Sequence, residues 1–510
     1  GIMNKRFYVV ISCLIGLTLL AFIAIRVRIL TTRTKLIIGS DTTFVLGPVL
    51  PDGSVDFKAA LNDRYSLGVK PEENAVVILD AAFRPEFDSP EARLRYYKYL
   101  GVPEPIRAKC IIDASEFAKQ LWGPNYSTEH NEFHEQVSTC QKEPWERASF
   151  PNVAKWIDEN REPLQLIELA CRREKFYCPL VNGELLLDAR LSWVQCLRSA
   201  ARLLVARAMS RLSEGDLNAA WNDLHSVARL GRLLSQHPLI VGNLIGVAIE
   251  ANGLNGHRSL LSRRLSQEQA LRFLDAMKAI PEMPDQTLAL DYGERAMFLE
   301  ILQLTWQGKN ILSDEVNLAA VFSGQDINLA MRHGNTYFDQ LTGAQRLKSF
   351  QKQMTAAEEV RSRLYRRLAK TVTPQNVAAG LVFTPRNEIT VQMTDLILGL
   401  VRPAGTQFIR AKLQAKVRFD LLRLGYALAA YRAEHREYPE KLEALTPRFL
   451  KEIPLDPFVD LPLHYQRLVG TQPQLDGFLL YSVDKDLKDN GGIIPDRGEP
   501  LDLVLRVIHE

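Results

Sequence analysis

The sequence predicts a mainly helical protein in three parts: an N-terminal transmembrane helix, a large helical body, and a C-terminal α+β module made of one long helix and a small antiparallel sheet. Three observations predict this fold class. An uncharged apolar run of 19 residues lies near the N-terminus, apolar residues recur every three or four positions from about residue 90 to 400, and short strand-like runs separated by Pro and Gly follow residue 460.

The domain boundaries follow from these changes of pattern. Residues 1–35 hold the anchor and its flanks, 36–90 form a mixed α/β connection, 91–404 form the helical domain, and 405–510 form the C-terminal module. A chain of 510 residues with 46% hydrophobic residues is long enough for two or three domains with buried cores. The net charge of +3, from 63 basic and 60 acidic residues, gives no reason to expect a nucleic-acid partner.

Residues 7–25, FYVVISCLIGLTLLAFIAI, are predicted to cross a membrane. Nineteen helical residues span about 28 Å, close to the thickness of the hydrocarbon core of a bilayer. The run is longer than the apolar core of a signal peptide and no small-residue cleavage site follows it, so we expect an uncleaved single-pass anchor, with a cleaved signal peptide as the alternative. Four cations follow between residues 26 and 35, so the distribution of positive charge does not favour export of the C-terminal part.

The clearest helical pattern in the body lies between residues 198 and 238. Small or apolar residues, including Ala208 and Ala220, recur at helical spacing on both sides of Gly215, and Pro238 follows the second helix. This stretch resembles one hairpin of the tetratricopeptide type. No second copy follows at the period of that repeat, so a helical hairpin is favoured over a true repeat array.

Cysteines and acids in the body leave alternatives open. Cys13 lies in the anchor, and five others fall in one third of the chain: Cys110, Cys140, Cys171, Cys178 and Cys196. They are either buried thiols or, in an exported protein, the source of one or two disulfides.

Six acids are candidates for catalysis: Glu159, Asp188, Glu214, Asp216, Asp291 and Glu294. None forms a spacing that a known chemistry requires, so we expect no enzyme, with an envelope hydrolase whose active site lies in the helical body as the alternative.

The C-terminal module begins with a long helix from about residue 405 that ends near Glu437, because Pro439 disfavours helix before it. The runs 461–467, 477–482 and 502–508 are predicted strands. In order, these features resemble the globular domain of the major, G-type pseudopilin of type II secretion systems. Tyr438 and Pro439 match the YP of that family, and PLDPF at 454–458 matches its Pro-x-Asp-Pro-aromatic motif.

The stretch YSVDKDLKDNGG matches the position of that family's calcium loop. The predicted ligands are Ser482, Asp484, Asp486, Asp489 and Asn490. Calcium binds six to eight oxygens, and a cation relieves the repulsion between crowded carboxylates. The loop is shorter than in the family, and Asp484 stands where the family usually has Gly. A solvated turn at Asn490-Gly491 is the alternative.

The resemblance implies a structural metal and a periplasmic location, because millimolar calcium occurs outside the cytoplasm. No prepilin cleavage site is present, since Gly16 lies inside the apolar run and residue 21 is Ala. We therefore expect a docking or capping module that contacts envelope or secretion proteins. The stretches EGDLNAAWNDLHSVARLGRLL and LAAYRAEHREYPEKLEAL also resemble large membrane-anchored proteins of planctomycete-type bacteria, a group from which no activity can be carried over.

Overall fold

The structure is a computed structural model that describes residues 32–509 apart from 106–108, 126–127, 184, 187–193, 286, 310, 312–321, 323, 372–383, 402–404, 470–475 and 494–501. It is mainly helical with a small antiparallel sheet near the C-terminus, which confirms the predicted fold class at that level. The predicted anchor at residues 7–25 lies outside the described residues. Within them, no helix combines the length and the apolar character that a membrane span requires.

Between residues 57 and 170, the described part of the chain forms seven short helices. They are Phe57–Ser66 (α1), Val76–Phe83 (α2), Pro90–Leu100 (α3), Ala114–Trp122 (α4), Thr128–Cys140 (α5), Pro151–Glu159 (α6) and Arg161–Ala170 (α7). The side chains of Asp56, Ser89 and Asp113 cap α1, α3 and α4 by accepting a backbone N–H of the first turn. Such caps satisfy donors that have no partner inside the helix and typically stabilise it by about 1 kcal/mol.

The hairpin predicted around Gly215 is present as two packed helices. The second group of helices is Val194–Ser213 (α8), Leu217–Leu234 (α9), Ile240–Asn252 (α10), Leu254–Leu261 (α11) and Gln267–Lys278 (α12). Gly215 has a φ of +80° in the turn, which favours glycine. The fully buried carboxylate of Asp223 on α9 accepts hydrogen bonds from Arg207 Nε at 3.1 Å and Arg211 Nη1 at 2.7 Å, both on α8. These bonds fix one helix against the other.

One helix spans the distance between the first described residues and the C-terminal module. The helices here are Arg295–Trp306 (α13), Ile327–Gln345 (α14), Phe350–Thr371 (α15) and Arg386–Val401 (α16). At its first residue, α14 donates Ile327 N–H to Thr34 Oγ1 at 3.2 Å. Its 19 residues extend for about 28 Å. Just beyond its far end, at the start of α15, the ring of Phe350 packs on Phe458 of the C-terminal module with centroids 4.9 Å apart. Thr34 and Phe458 therefore lie at opposite ends of α14.

The C-terminal module contains the long helix α17, Thr406–His435, and five strands. The strands are Leu455–Asp456 (β1), Leu461–Pro462 (β2), His464–Val469 (β3), Asp476–Ser482 (β4) and Leu503–His509 (β5). β1 pairs with β2, and β3, β4 and β5 form an antiparallel sheet in that order. The predicted strands at 461–467, 477–482 and 502–508 agree with these bounds within two residues, apart from a break at Leu463.

The inner face of the C-terminal module packs directly on the helical body. We call this contact the inner face: α17 and β5 on one side, α10, α11 and α12 on the other, with the ring of Trp221 from α9. Tyr426 of α17 places its hydroxyl 2.7 Å from His257 Nδ1 of α11, and both side chains are buried. The ring of Trp221 on α9 lies edge-on to Tyr426, with centroids 4.9 Å apart. At β5, His509 donates from Nδ1 to the carbonyl of Ser262 at 2.8 Å.

His509 also joins the sheet to the residue that follows α17. Its Nε2 accepts a hydrogen bond of 2.6 Å from the hydroxyl of Tyr438, which is fully buried. Burial lowers the pKa of His257 to about 3, so its imidazole is neutral in the folded protein at neutral pH. The module is thus held to the body by apolar packing and by neutral polar side chains, and Arg232 of α9 adds a cation–π contact with the ring of Phe419 on α17 at 4.3 Å.

Three cysteines of the body are free, protonated thiols. They are Cys140, Cys171 and Cys196. Burial raises the pKa of Cys140 and of Cys171 to about 12, and that of Cys196 to about 11. A thiol with such a pKa is protonated at neutral pH and is a poor nucleophile, so these residues act as small apolar side chains.

Candidate cation-binding loop

The predicted calcium loop connects two neighbouring strands of the sheet. Ser482, the last residue of β4, pairs with Leu503, the first residue of β5. The two ends of the connection therefore lie side by side, and an acid that precedes β5 lies next to the loop that follows β4. That acid is Asp502, which is 2% exposed and was absent from the predicted ligand set.

The first half of the loop faces the long helix. Ser482 is fully buried and its Oγ accepts the N–H of Asp484 at 3.2 Å. Both carboxylate oxygens of Asp484 accept from Gln414 Nε2 of α17, at 2.9 and 3.0 Å. Burial raises the pKa of Asp484 above its usual value, against the opposing effect of the Gln414 hydrogen bond. Ser482 and Asp484 therefore attach the loop to α17.

The backbone of Asp484 has a conformation that is unusual for a residue with a Cβ. Its φ is +52°, in the left-handed region that favours glycine. For an L-residue with a Cβ this conformation costs about 1–2 kcal/mol. The two contacts with Gln414 hold Asp484 in it.

Asp456, the acid of the PLDPF motif, holds the start of the loop from another side. It is fully buried. Its Oδ1 accepts the N–H of Phe458 at 3.0 Å and its Oδ2 accepts the N–H of Val483 at 3.1 Å. A single carboxylate thus joins the turn after β1 to the first residue after β4. This gives the motif a structural role in the module.

The second half of the loop brings Asp486, Asn490 and Asp502 together. Nδ2 of Asn490 lies 3.1 Å from Asp486 Oδ2, 3.2 Å from Asp502 Oδ1 and 3.1 Å from the carbonyl of Lys488. Because Oδ2 of Asp486 and Oδ1 of Asp502 both contact this one nitrogen, the two carboxylates lie close to each other. A primary amide has two hydrogens, so three acceptors compete for two donors. This is the position in the loop where negative and partly negative oxygens converge.

Backbone N–H groups hold the remaining oxygens of this second half. Oδ2 of Asp502 accepts the N–H groups of Asn490 and Gly492, at 3.2 and 2.9 Å. Oδ1 of Asp486 accepts the N–H of Lys488 at 3.0 Å, and this bond is the main reason why the pKa of Asp486 is lowered. Gly492 has a φ of +62°, and a Cβ there would lie 2.7 Å from the ring of Tyr481. The turn therefore requires glycine at that position.

Asp489 lies on the sheet side of the loop. Its Oδ1 accepts from the N–H of Gly491 at 2.8 Å and from the hydroxyl of Tyr481 at 3.0 Å. The Gly491 hydrogen bond is the main cause of its lowered pKa. Oδ2 lies 3.7 Å from Nδ1 of His464, whose ring stacks on Tyr481. The contacts of Asp489 are therefore with the sheet.

The donor set at Asn490 fits a calcium ion. Asp486 and Asp502 supply carboxylate oxygens and Lys488 supplies a carbonyl, and a rotation of the Asn490 amide by 180° would place its oxygen where its nitrogen lies. Within the described part of the chain, no group of three or more His, Cys, Asp or Glu side chains is arranged to hold a metal. The site at Asn490 has two carboxylates, with neutral oxygens for the rest. The ligand set of Ser482, Asp484, Asp486, Asp489 and Asn490 stays a prediction.

Asp80 and Glu294 are buried acids with raised pKa values, and they lie on different elements. Burial raises the pKa of Asp80 on α2 to about 8; one of its oxygens accepts from the hydroxyl of Tyr96 at 3.0 Å. Burial raises the pKa of Glu294 to about 7; it lies in a π-helical turn and caps α10 by accepting the N–H of Ile240 at 3.1 Å. Glu294 was among the candidate acids. The hydrolase alternative stays a prediction.

Comparison with known proteins gives no relative for this chain. No protein-family model matches it, and neither the curated proteins nor the solved structures contain a significant match.

Proposed function

We propose that this protein is a single-pass membrane protein of the cell envelope, with a helical interaction body and a calcium-stabilised, pseudopilin-like C-terminal module. Residues 7–25 anchor it, and the bulk of the chain lies on the periplasmic side. It acts as a structural or docking component that binds envelope or secretion proteins, without catalysis.

The observation that carries this proposal is the convergence of three oxygen acceptors on the side-chain nitrogen of Asn490. With the Asn490 amide turned and Ca²⁺ bound among its oxygen and these acceptors, each of these oxygens has a positive partner and the repulsion between Asp486 and Asp502 is relieved. The ion would stabilise the connection between β4 and β5. It has no role in a reaction, because the residues around it hold the fold of the loop.

The order of structural features supports the pseudopilin-like assignment. A helix of 30 residues precedes the sheet, and the acid of the PLDPF motif contacts the start of the aspartate-rich loop. Asp484 has a left-handed backbone conformation, which favours the glycine expected at this position from the resemblance. We propose a docking role for this module.

The test is photo-crosslinking in the native envelope. A photoreactive amino acid in place of Lys485, an exposed loop residue, is expected to give a protein adduct that decreases when calcium is chelated. The same group in place of Leu169, an exposed residue of α7 in the body, is the control and should not respond to the chelator. If the chain is in the membrane fraction and neither position gives a protein adduct, the docking role is contradicted.

A further inference from the structure

One end of the helical body carries exposed apolar side chains on a short hairpin. Val49 pairs with Val55, and the N–H of Leu50 donates to the carbonyl of Ser54 at 2.8 Å. At the tip, Val49 is 51% exposed and Leu50 is 40% exposed, and the neighbouring Pro51 is also exposed. Exposed apolar residues scattered singly are ordinary, but consecutive ones on a projecting turn indicate a contact surface.

Hydrogen bonds place this hairpin beside the first described residues of the chain. The backbone carbonyl of Gln307 accepts from the guanidinium of Arg33 at 3.1 Å, and the side-chain amide of Gln307 donates to Asp52 at 3.0 Å. Ile37, which is 56% exposed, donates its N–H to Asn328 in the first turn of α14. The hairpin, Arg33 and Ile37 therefore surround the end of the body from which the chain continues toward residues 7–25.

The sequence limits how far this end can lie from the predicted anchor. Residue 25 ends the apolar run and Thr32 is the first described residue. Seven residue steps reach at most about 25 Å when fully extended. A headgroup layer of roughly 5–8 Å takes up part of that length. The anchor-proximal end of the body is therefore confined to the neighbourhood of the membrane surface.

The charges at this end match an anionic surface. Between Arg26 and Ser40 the chain has four cations and no acid. Two of these cations, Arg33 and Lys35, are exposed, and so is Lys309, which follows α13 beside the hairpin. Basic residues next to an anchor gain about 1 kcal/mol each at an anionic lipid surface. Asp52 is the acid of the hairpin tip, and it accepts hydrogen bonds from Ser54 and Gln307.

We propose that this anchor-proximal surface, made of Ile37, Val49 and Leu50 with Arg33, Lys35 and Lys309, rests on an anionic phospholipid bilayer. The apolar side chains enter the headgroup layer and the cations contact lipid phosphates. The inference rests on the proposed membrane anchor. Its consequence is an orientation: α14 places the C-terminal module about 28 Å farther along the body than this surface, where a partner at the aspartate-rich loop would bind away from the lipid.

The experiment uses the full chain in vesicles of phosphatidylglycerol and phosphatidylethanolamine. A photoreactive benzoylphenylalanine replaces Leu50 in one variant, and Leu461 of β2, which is 61% exposed near Phe458, in the matched control. After irradiation, lipid adducts are quantified by mass spectrometry and vesicle association by flotation. We expect the adduct at position 50 to exceed that at position 461 by an order of magnitude.

Two outcomes would overturn the inference, and flotation separates them. If both variants float with the vesicles and position 50 gives no more lipid adduct than position 461, the surface does not rest on the bilayer although the anchor holds. If the chain does not float, the proposed anchor fails, and the inference fails with it. Both substitutions are at exposed positions, so loss of folding is not expected, and circular dichroism of each variant checks this.

Discussion

The C-terminal module is held differently on its two sides. On the inner face, Tyr426, His257 and His509 are buried and neutral, and they contact the body through aromatic packing and hydrogen bonds. On the outer side, the loop gathers carboxylates, including Asp486 and Asp502, around one amide nitrogen. The inner face therefore depends on shape and on histidines that stay uncharged. The outer loop depends on what compensates its negative charge, so acid and chelation should act on different sides of the same module.

The largest effect is expected from removing the aromatic ring at the inner face. Tyr426→Ala deletes a fully buried ring that packs on Trp221 and Phe273, and truncation of a buried aromatic residue typically costs about 3–5 kcal/mol. Tyr426→Phe keeps the ring and leaves His257 Nδ1 without its partner, at about 1–3 kcal/mol. Urea unfolding of the full chain measures both. If alanine cost no more than phenylalanine, the ring would not be part of the packed interface.

Acid should weaken the inner face before it affects the outer loop. Below about pH 6.5 the imidazole of His257 takes up a proton in the unfolded chain, whereas in the folded chain it does so only near pH 3. The unfolded state then binds more protons, so the free energy of unfolding falls as the pH drops, by about 3 kcal/mol at pH 4 from this residue. The measurement is urea unfolding from pH 7 to pH 4, where His257→Asn should show a shallower decline than the wild type.

The outer carboxylates show the same sign of linkage as His257, but in a lower pH range. The pKa values of Asp486 and Asp489 are lowered in the folded state, so their contribution is present above their usual pKa of 3.8 and is lost only as the pH falls below it. Asp489 is exposed and Asp486 is partly exposed, so solvent screens both and the contribution is small. A wild-type stability that stayed constant between pH 7 and pH 4.5 would contradict the account of the inner face.

Asp456→Asn should have an intermediate effect that calcium does not change. One carboxylate oxygen accepts from Phe458 and the other from Val483, so an amide must turn its NH₂ group toward one of two buried N–H donors. An unsatisfied buried group costs about 1–3 kcal/mol. Thermal unfolding with calcium and with chelator checks this. A loss of stability seen only with calcium present would mean that Asp456 acts through the ion.

The smallest effect is expected at the sheet side of the loop. Tyr481→Phe removes the hydroxyl that donates to the exposed Asp489, and a partly solvated hydrogen bond contributes about 1 kcal/mol or less. Thermal unfolding should show this small loss with no change in calcium affinity. A variant that lost calcium binding would place Asp489 among the ligands.

The sequence alone predicted those features of the structure that depend on contacts between residues close together in the chain. The helical hairpin around Gly215 is present, because its two helices are adjacent in the chain and a single turn joins them. The strands of the small sheet were found from alternating apolar residues and turn residues. The contact between Asp484 and Gln414 joins residues 70 positions apart, and no local pattern indicates it.

The residues that sequence reasoning missed are those whose contacts are non-local. Asp502 lies 12 positions after Asn490 and meets it only because β4 and β5 are neighbours. A search for acids at the far end of the predicted strand pair would have found it. His257 and Tyr426 are 169 positions apart, and helical periodicity shows that each has a buried face without showing which helix covers it.

Calorimetric titration of calcium into the full chain in detergent micelles tests the central claim most directly. The full chain is needed because a fragment of residues 405–510 would expose Tyr426 and the rest of the inner face. The account predicts binding in the micromolar-to-millimolar range that is lost in Asp486→Asn and in Asp502→Asn, and that persists in Asp484→Asn, whose carboxylate contacts Gln414. A folded protein that binds no calcium, or whose binding survives both Asp486→Asn and Asp502→Asn, would contradict it.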